Sequence, residues 1–358
     1  MKGLTRQSLQ LAALTLALLA VAGCRSIGPS TVRRDRFQYS AAVADSWKEQ
    51  LLLNIVKTRY GDAPTFLEVS SLVSGYSLEM GVTVNGEFYT VKPGSDTFIG
   101  GELSGKFTDR PTISYTPLTG EKFTRSLLAP MPLEALMFAI QGGTPADFFL
   151  GLTVQSFEGH QNQGVFGGQF EPGDDSFTRL LHLLRTLQQA RAIEVEVTKQ
   201  GERVEVWLRF YPPDHGNAGV AQSLTELKSL LGVPPALDRV RVSFGRVAPE
   251  PEVIAVRTRS LMQILSILGA GVQIPEEHVA DGSAVASGPS PTRRPLVVHS
   301  GGKKPAAAFV AVPYDDLWFW IDRKDLASKI TLSTVTVLFS FLDTSGKQSL
   351  PVLTIPTN

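Results

Sequence analysis

The chain has 358 residues, with 34 Lys and Arg against 34 Asp and Glu and one cysteine. That balance excludes the strongly basic character of a nucleic-acid binder, and a lone cysteine excludes an internal disulfide and a cysteine-rich zinc site. A hydrophobic share of 43% and a charged share of 19% fit a globular protein long enough for one large or two medium domains with cores.

Lys2 and Arg6 precede an almost wholly apolar run, Leu9 to Gly23, which ends in Ala20, Ala22 and Gly23. This is the layout of a secretory signal, shorter than the ~20 apolar residues of a transmembrane helix. The cysteine, Cys24, follows at once. Val21-Ala22-Gly23-Cys24 resembles the lipobox of bacterial lipoproteins. Small residues there give a peptidase access to the scissile bond, and a thiol is the nucleophile that a lipid donor requires. The resemblance implies diacylglyceryl on the Cys24 sulfur, cleavage after residue 23 and membrane attachment through the lipid, since two or more acyl chains anchor durably. It implies a cell-envelope location, with Arg25 in place of a retaining aspartate pointing to the outer membrane. Cleavage removes two of the 34 cations and no anion.

Residues 24–37 read as a lipidated tether whose arginines can meet anionic head groups. Ser40 to Tyr60 reads as a helix, from Val43, Trp47, Leu51 and Ile55 at helical spacing, ended by Gly61 and Pro64. The words SWKEQLLLNIVKTRYGDAPTFLEVSSL, PTISYTPLTGEKFTRSL and VPYDDLWFWIDRKDLASK resemble those of a group of uncharacterised proteobacterial envelope lipoproteins. That resemblance carries no catalytic residue across.

Phe66 to Ile113 is expected as strand, with a hairpin turn at Asn85-Gly86. Glu121 to Leu128 and Leu133 to Gln141 are expected as helices, and Leu152 to Phe157 as a strand. The glycine- and glutamine-rich stretch Gly159 to Gly173 is expected to divide the chain. Asp174-Asp175-Ser176 caps an amphipathic helix carrying Phe177, Leu180, Leu184 and Leu187. Ile193 to Val197 and Val204 to Phe210 alternate as the two arms of a hairpin. Helix is expected at Leu224 to Leu231 and Ser260 to Leu268, and strand at Val240 to Val247 and Val253 to Val256. Ala280 to Ala308 has the composition of a long flexible loop, with a brief strand at Leu296 to Val298. Strands follow at Phe309 to Val312, Leu317 to Ile321 and Thr331 to Leu342, the last with a buried helix as its rival.

The expected fold is α+β, two lobes at 38–172 and 173–358 of mostly antiparallel sheet with helices packed on one side. Thr124-Arg125-Ser126-Leu127 and Thr258-Arg259-Ser260-Leu261 are identical words, by duplication or by independent capping.

For chemistry the yield is small. His160, His182, His215, His278 and His299 have no metal-binding spacing, and neither a Gly-x-Ser-x-Gly elbow nor a phosphate loop occurs. No cofactor is expected. Asp315, Asp316, Asp322 and Asp325 flank an aromatic strand and suit turns and caps better than acid–base work. Trp207 falls on the polar face of its hairpin, and Trp318 and Trp320 share a face of theirs. These three are the candidate contacts for a protein partner. The function expected is that of a lipid-anchored, non-enzymatic envelope protein that binds another protein or supports an assembly. The alternative is a periplasmic hydrolase with a site gathered from distant residues.

Overall fold

The computed structural model describes residues 27–73, 76–85, 100–109, 112–166, 169–201, 203–212, 217–285 and 294–339. The segment expected as a secretory signal and Cys24 lie outside them. The fold is α+β with several mostly antiparallel sheets. The chain divides into two compact units, one gathering residues up to Ala44 with Leu67–Thr116, the other Asp45–Phe66 with Pro117 onward.

Helix α1, Ile27–Arg59, serves both units. Residues 27–37, expected as tether, are helical. Pro29 stands in the first turn, where its missing N–H costs nothing, and Arg33, Arg34 and Arg36 are good helix formers.

In the first unit the chain runs out along β1 (Phe66–Val73) and β2 (Tyr76–Asn85) and back along β3 (Gly100–Asp109) and β4 (Thr112–Leu118). β1 pairs with β4 and β2 with β3, each as a two-stranded sheet. The β2–β3 register is unbroken over ten pairs, from Tyr76↔Asp109 to Asn85↔Gly100. Because Asn85 pairs with Gly100, the chain does not reverse at Asn85-Gly86 as expected. Between β1 and β4 the Ser70 hydroxyl donates to the Ser114 carbonyl at 3.1 Å.

The second unit holds α2 (Gly120–Leu128), α3 (Leu133–Gln141), α4 (Ala146–Thr153), β5 (Val154–Phe157) and three short strands, β6 (His160–Gln161), β7 (Gly164–Phe166) and β8 (Gln169–Glu171). There follow α5 (Asp175–Gln189), β9 (Ile193–Gln200), β10 (Arg203–Phe210), α6 (Ala218–Leu230), β11 (Arg239–Phe244), β12 (Val253–Thr258), α7 (Leu261–Gly269) and α8 (Glu276–Ala280). β13 (His299–Gly301), β14 (Ala308–Tyr314), β15 (Leu317–Asp322) and α9 (Leu326–Phe339) complete it.

A six-stranded sheet in the order β6-β5-β12-β11-β10-β9 forms the centre, antiparallel except for β11 beside β12. Alternation explains its two faces. Val195, Val206, Leu208, Val242 and Ile254 are buried with Leu136, Leu150 and Leu184 of α3, α4 and α5, while Glu196, Trp207 and Arg241 share the other face. β5 pairs with β12, so strands from both sides of residue 172 belong to one sheet. The expected lobe boundary there is thus corrected: the glycine-rich stretch is built into the second unit, where Asn162 Nδ2 donates to the carbonyls of Gly151 and Val154 at 2.8 and 2.7 Å.

Two further expectations are corrected. The segment from Thr331 is helix, not strand, because Ser328, Thr331, Leu332, Val335, Leu338 and Phe339 are buried at helical spacing. Of the loop expected from Ala280 to Ala308, residues 286–293 lie outside the described residues, and Leu296 and Val298, expected as a brief strand, are fully buried with a single bridge at Val298. Val298 bridges Val272, and the Thr331 hydroxyl donates to the Pro295 carbonyl at 2.6 Å.

The repeated Thr-Arg-Ser-Leu words sit in unlike places. Arg125 is an exposed residue of α2 paired with Glu121 at 2.5 Å. Arg259 is buried behind β12, and Ser260 opens α7 with a reciprocal capping box to Gln263.

Candidate functional site

The three-stranded sheet, in the order β13-β15-β14, carries two of the three tryptophans singled out from the sequence. Phe319 and Ile321 of β15 are fully buried, so period-two alternation sends Trp318 and Trp320 to the opposite face. Both are half-buried there. The Lys304 ammonium stands 4.9 Å from the centre of the Trp318 ring, and the His299 ring lies 5.7 Å from that of Trp320. Gly301 pairs with Trp318, and His299 with Trp320. Two adjacent aromatic faces with a cation and an imidazole alongside make a surface able to pack on apolar or aromatic groups and to accept an acidic one.

Trp207 does not join them. It belongs to the six-stranded sheet, where the Arg239 guanidinium stacks over its ring at 4.7 Å and its indole N–H donates to Glu205 Oε2 at 3.3 Å. Arg209 and Glu196 pair nearby at 3.1 Å. Its ring is held in a charged lattice.

The β14–β15 turn of the three-stranded sheet holds a polar cluster. Asp315 and Asp316, the two central residues between Tyr314 and Leu317, both have positive φ, 48° and 59°, which gives the two-residue turn that suits a twisted hairpin. Against this turn the Tyr60 hydroxyl, at the end of α1, shares a hydrogen bond of 2.9 Å with His278 Nδ1, with Asp315 at 3.9 Å from that nitrogen. The Tyr314 hydroxyl donates to Asp62 Oδ2 at 2.7 Å. The Tyr60 and Tyr314 rings lie 5.0 Å apart. Burial, then the charge of Asp315, pushes the Tyr60 phenol up to about 12. Burial, then the hydrogen bond to Asp62, raises Tyr314 further. Both phenols therefore stay protonated donors at neutral pH. No local pattern announces this cluster, because Tyr60 and His278 are 218 residues apart.

Of the other aspartates, Asp325 caps α9 by accepting from Ser328 N at 3.0 Å, and Asp322 accepts from Lys324 N at 2.7 Å. His160 is held by the Ser176 hydroxyl at 2.7 Å and the Leu230 carbonyl at 3.0 Å. His215 lies outside the described residues. Among those described, no group of three or more His, Cys, Asp or Glu is arranged to hold a metal, and no helix is long and apolar enough to cross a membrane.

Sequence reasoning also missed Arg259, 2% exposed. It donates to the carbonyls of Gly151 and Leu152, both at 2.9 Å, and to that of Gln163. Burial lowers it to about 9, still charged at neutral pH. It ties the end of α4 and the glycine-rich stretch to the end of β12. A cavity of about 380 Å³ lies between the six-stranded sheet and its helices, walled by Met137, Ile140, Leu150, Leu184 and Ile254 with Arg191 and Glu194 also on its lining.

Comparison with family models, curated proteins and solved structures finds no match to this chain.

Proposed function

We propose that this chain is a lipid-anchored protein of the bacterial cell envelope, held to the outer membrane through lipidated Cys24, and that it works without catalysis, binding another protein or supporting an envelope assembly. The observation that carries the binding reading is the pairing of Trp318 and Trp320 on one sheet face, half-buried beside Lys304 and His299. Aromatic residues so placed anchor protein interfaces at small entropic cost. Trp207, locked under Arg239, serves as the internal control.

Crosslinking in intact cells tests it. Trp318→Ala and Trp320→Ala are expected to weaken partner capture by about 2 kcal/mol, roughly thirtyfold, with melting near wild type, and Trp207→Ala to leave capture intact. Unchanged capture in both variants would remove this face from the reading. Mass spectrometry of the mature amino terminus tests the anchor, since an unmodified terminus downstream of Cys24 would end the lipoprotein reading.

A further inference from the structure

The two-stranded ribbon of β2 and β3 forms a sheet of its own with two unlike faces. Leu78, Met80, Val82 and Val84 alternate along β2, and their register partners are Phe107, Gly105, Leu103 and Gly101. From Leu78 to Val84 this face of the ribbon is thus apolar or glycine, and the pair Tyr76↔Asp109 ends it. The intervening positions Glu79, Thr83 and Asn85 pair with Lys106, Glu102 and Gly100, which makes the other face polar and sets Glu79 opposite Lys106. At ten residues each, the strands have the length of about 9 to 11 that spans a bilayer at a tilt. Alternation over some ten residues, apolar outward and polar inward, is the pattern of a strand in a transmembrane barrel.

The geometry points to β2–β3 as a membrane-inserting hairpin that copies of this chain pool, edge to edge, into one closed β-barrel with acyl chains on the outside and the Glu79–Lys106 face lining the lumen. Two constraints demand the copies. The sheet has two strands among the described residues, so both outer edges carry a row of backbone donors and acceptors. In hydrocarbon each unpaired group costs several kcal/mol, so a lone hairpin cannot span and only a closed barrel can. Small barrels have about eight strands, and at two strands per copy closure needs about four copies or more. In water the same ribbon is at a disadvantage, since an isolated two-stranded sheet is marginal and an apolar face beside open edges invites aggregation. The inference deepens the envelope reading by naming a partner, further copies of this chain, and a medium, the bilayer core.

Cys24 is the sole cysteine and is blocked when lipidated, which makes single-cysteine labelling of the ribbon clean. The mature lipidated chain, carrying an environment-sensitive fluorophore at one position from 78 to 85, is reconstituted into phosphatidylethanolamine–phosphatidylglycerol vesicles containing a lipid-borne quencher. Quenching is expected to alternate with period two, several-fold stronger at 78, 80, 82 and 84. Vesicles loaded with a small dye should leak. Val82→Arg should cut leakage about tenfold or more while Thr83→Arg should not. Quenching that is absent or without period two, or a soluble oligomer whose ribbons pair without meeting lipid, would overturn the inference. If quenching fails while Trp318-dependent capture persists, the barrel falls and the proposed function stands.

Discussion

The chain builds two long hairpins by the same alternation and places them differently. β9–β10 pairs eight residues, Ile193↔Phe210 to Gln200↔Arg203. Its apolar positions Val195, Val206, Leu208 and Phe210 are buried, with α3 and α5 packed on the strands and β11 continuing the sheet beyond β10. β2–β3 pairs ten residues with as regular an alternation, yet it forms a sheet of its own. The difference teaches that alternation specifies a two-faced ribbon and says nothing of what the apolar face meets. In β9–β10 the chain supplies helices. For β2–β3 we propose lipid and further copies.

The largest effect that would sharpen the contrast comes from removing a buried group of β9–β10. Leu208→Ala deletes side-chain atoms from a 6% exposed position and should cost about 2 to 5 kcal/mol, read as a lower denaturation midpoint at constant slope. Val82→Ala, on the apolar face of β2, should stay within about 0.5 kcal/mol in the same assay on the non-lipidated chain. Equal losses would break the contrast.

Arg259 comes next. Arg259→Ala takes its donors from the carbonyls of Leu152 and Gln163, leaves that of Gly151 with Asn162 Nδ2 alone, and opens a void where a guanidinium was. The expected loss is about 3 kcal/mol. Arg259→Met, which fills most of the space, should recover part of it. A loss below about 1 kcal/mol in the alanine variant would show that the stretch from Gln161 to Gly173 is held by its other bonds, such as Asp174 accepting from Gln161 N at 2.6 Å.

What was legible in the sequence follows from the range of the interaction concerned. α5, β9 and β10 were readable because burial of one face imposes a period on consecutive residues, and Trp207, Trp318 and Trp320 were assigned correctly to faces by the same rule. α9 was misread because Val335, Val337, Phe339 and Phe341 also satisfy a period of two. Its burial at Leu332, Val335 and Leu338 was the competing signal. The ribbon was recognised as strand, but Asn85-Gly86 imitates a tight turn, which hid ten residues of pairing beyond it. The polar cluster at the β14–β15 turn had no signal at all, since Tyr60, His278 and Tyr314 meet only through tertiary packing.

That cluster supplies the smallest effect, and it tests how the end of α1 is tied to the β14–β15 turn within the second unit. Tyr60 and Tyr314 have folded-state pKa values raised above the ordinary 10.0, so the folded chain holds two phenolic protons more tightly than the unfolded one. The sign follows by linkage. Their contribution is complete below pH 10, falls as the pH rises through about 12 for Tyr60, and continues to fall beyond that for Tyr314. Two pKa units correspond to about 2.7 kcal/mol, but Tyr60 is partly open to solvent, and screening reduces the measurable share to about 1 kcal/mol. Stability followed by denaturant titration at fixed ionic strength should therefore drop by about that amount between pH 10 and 12. In Tyr60→Phe this part of the profile should flatten, with a small loss at neutral pH from the broken bond to His278. Should the variant keep the wild-type slope over that interval, alkaline loss arises elsewhere, and the Tyr60–His278 contact contributes packing alone.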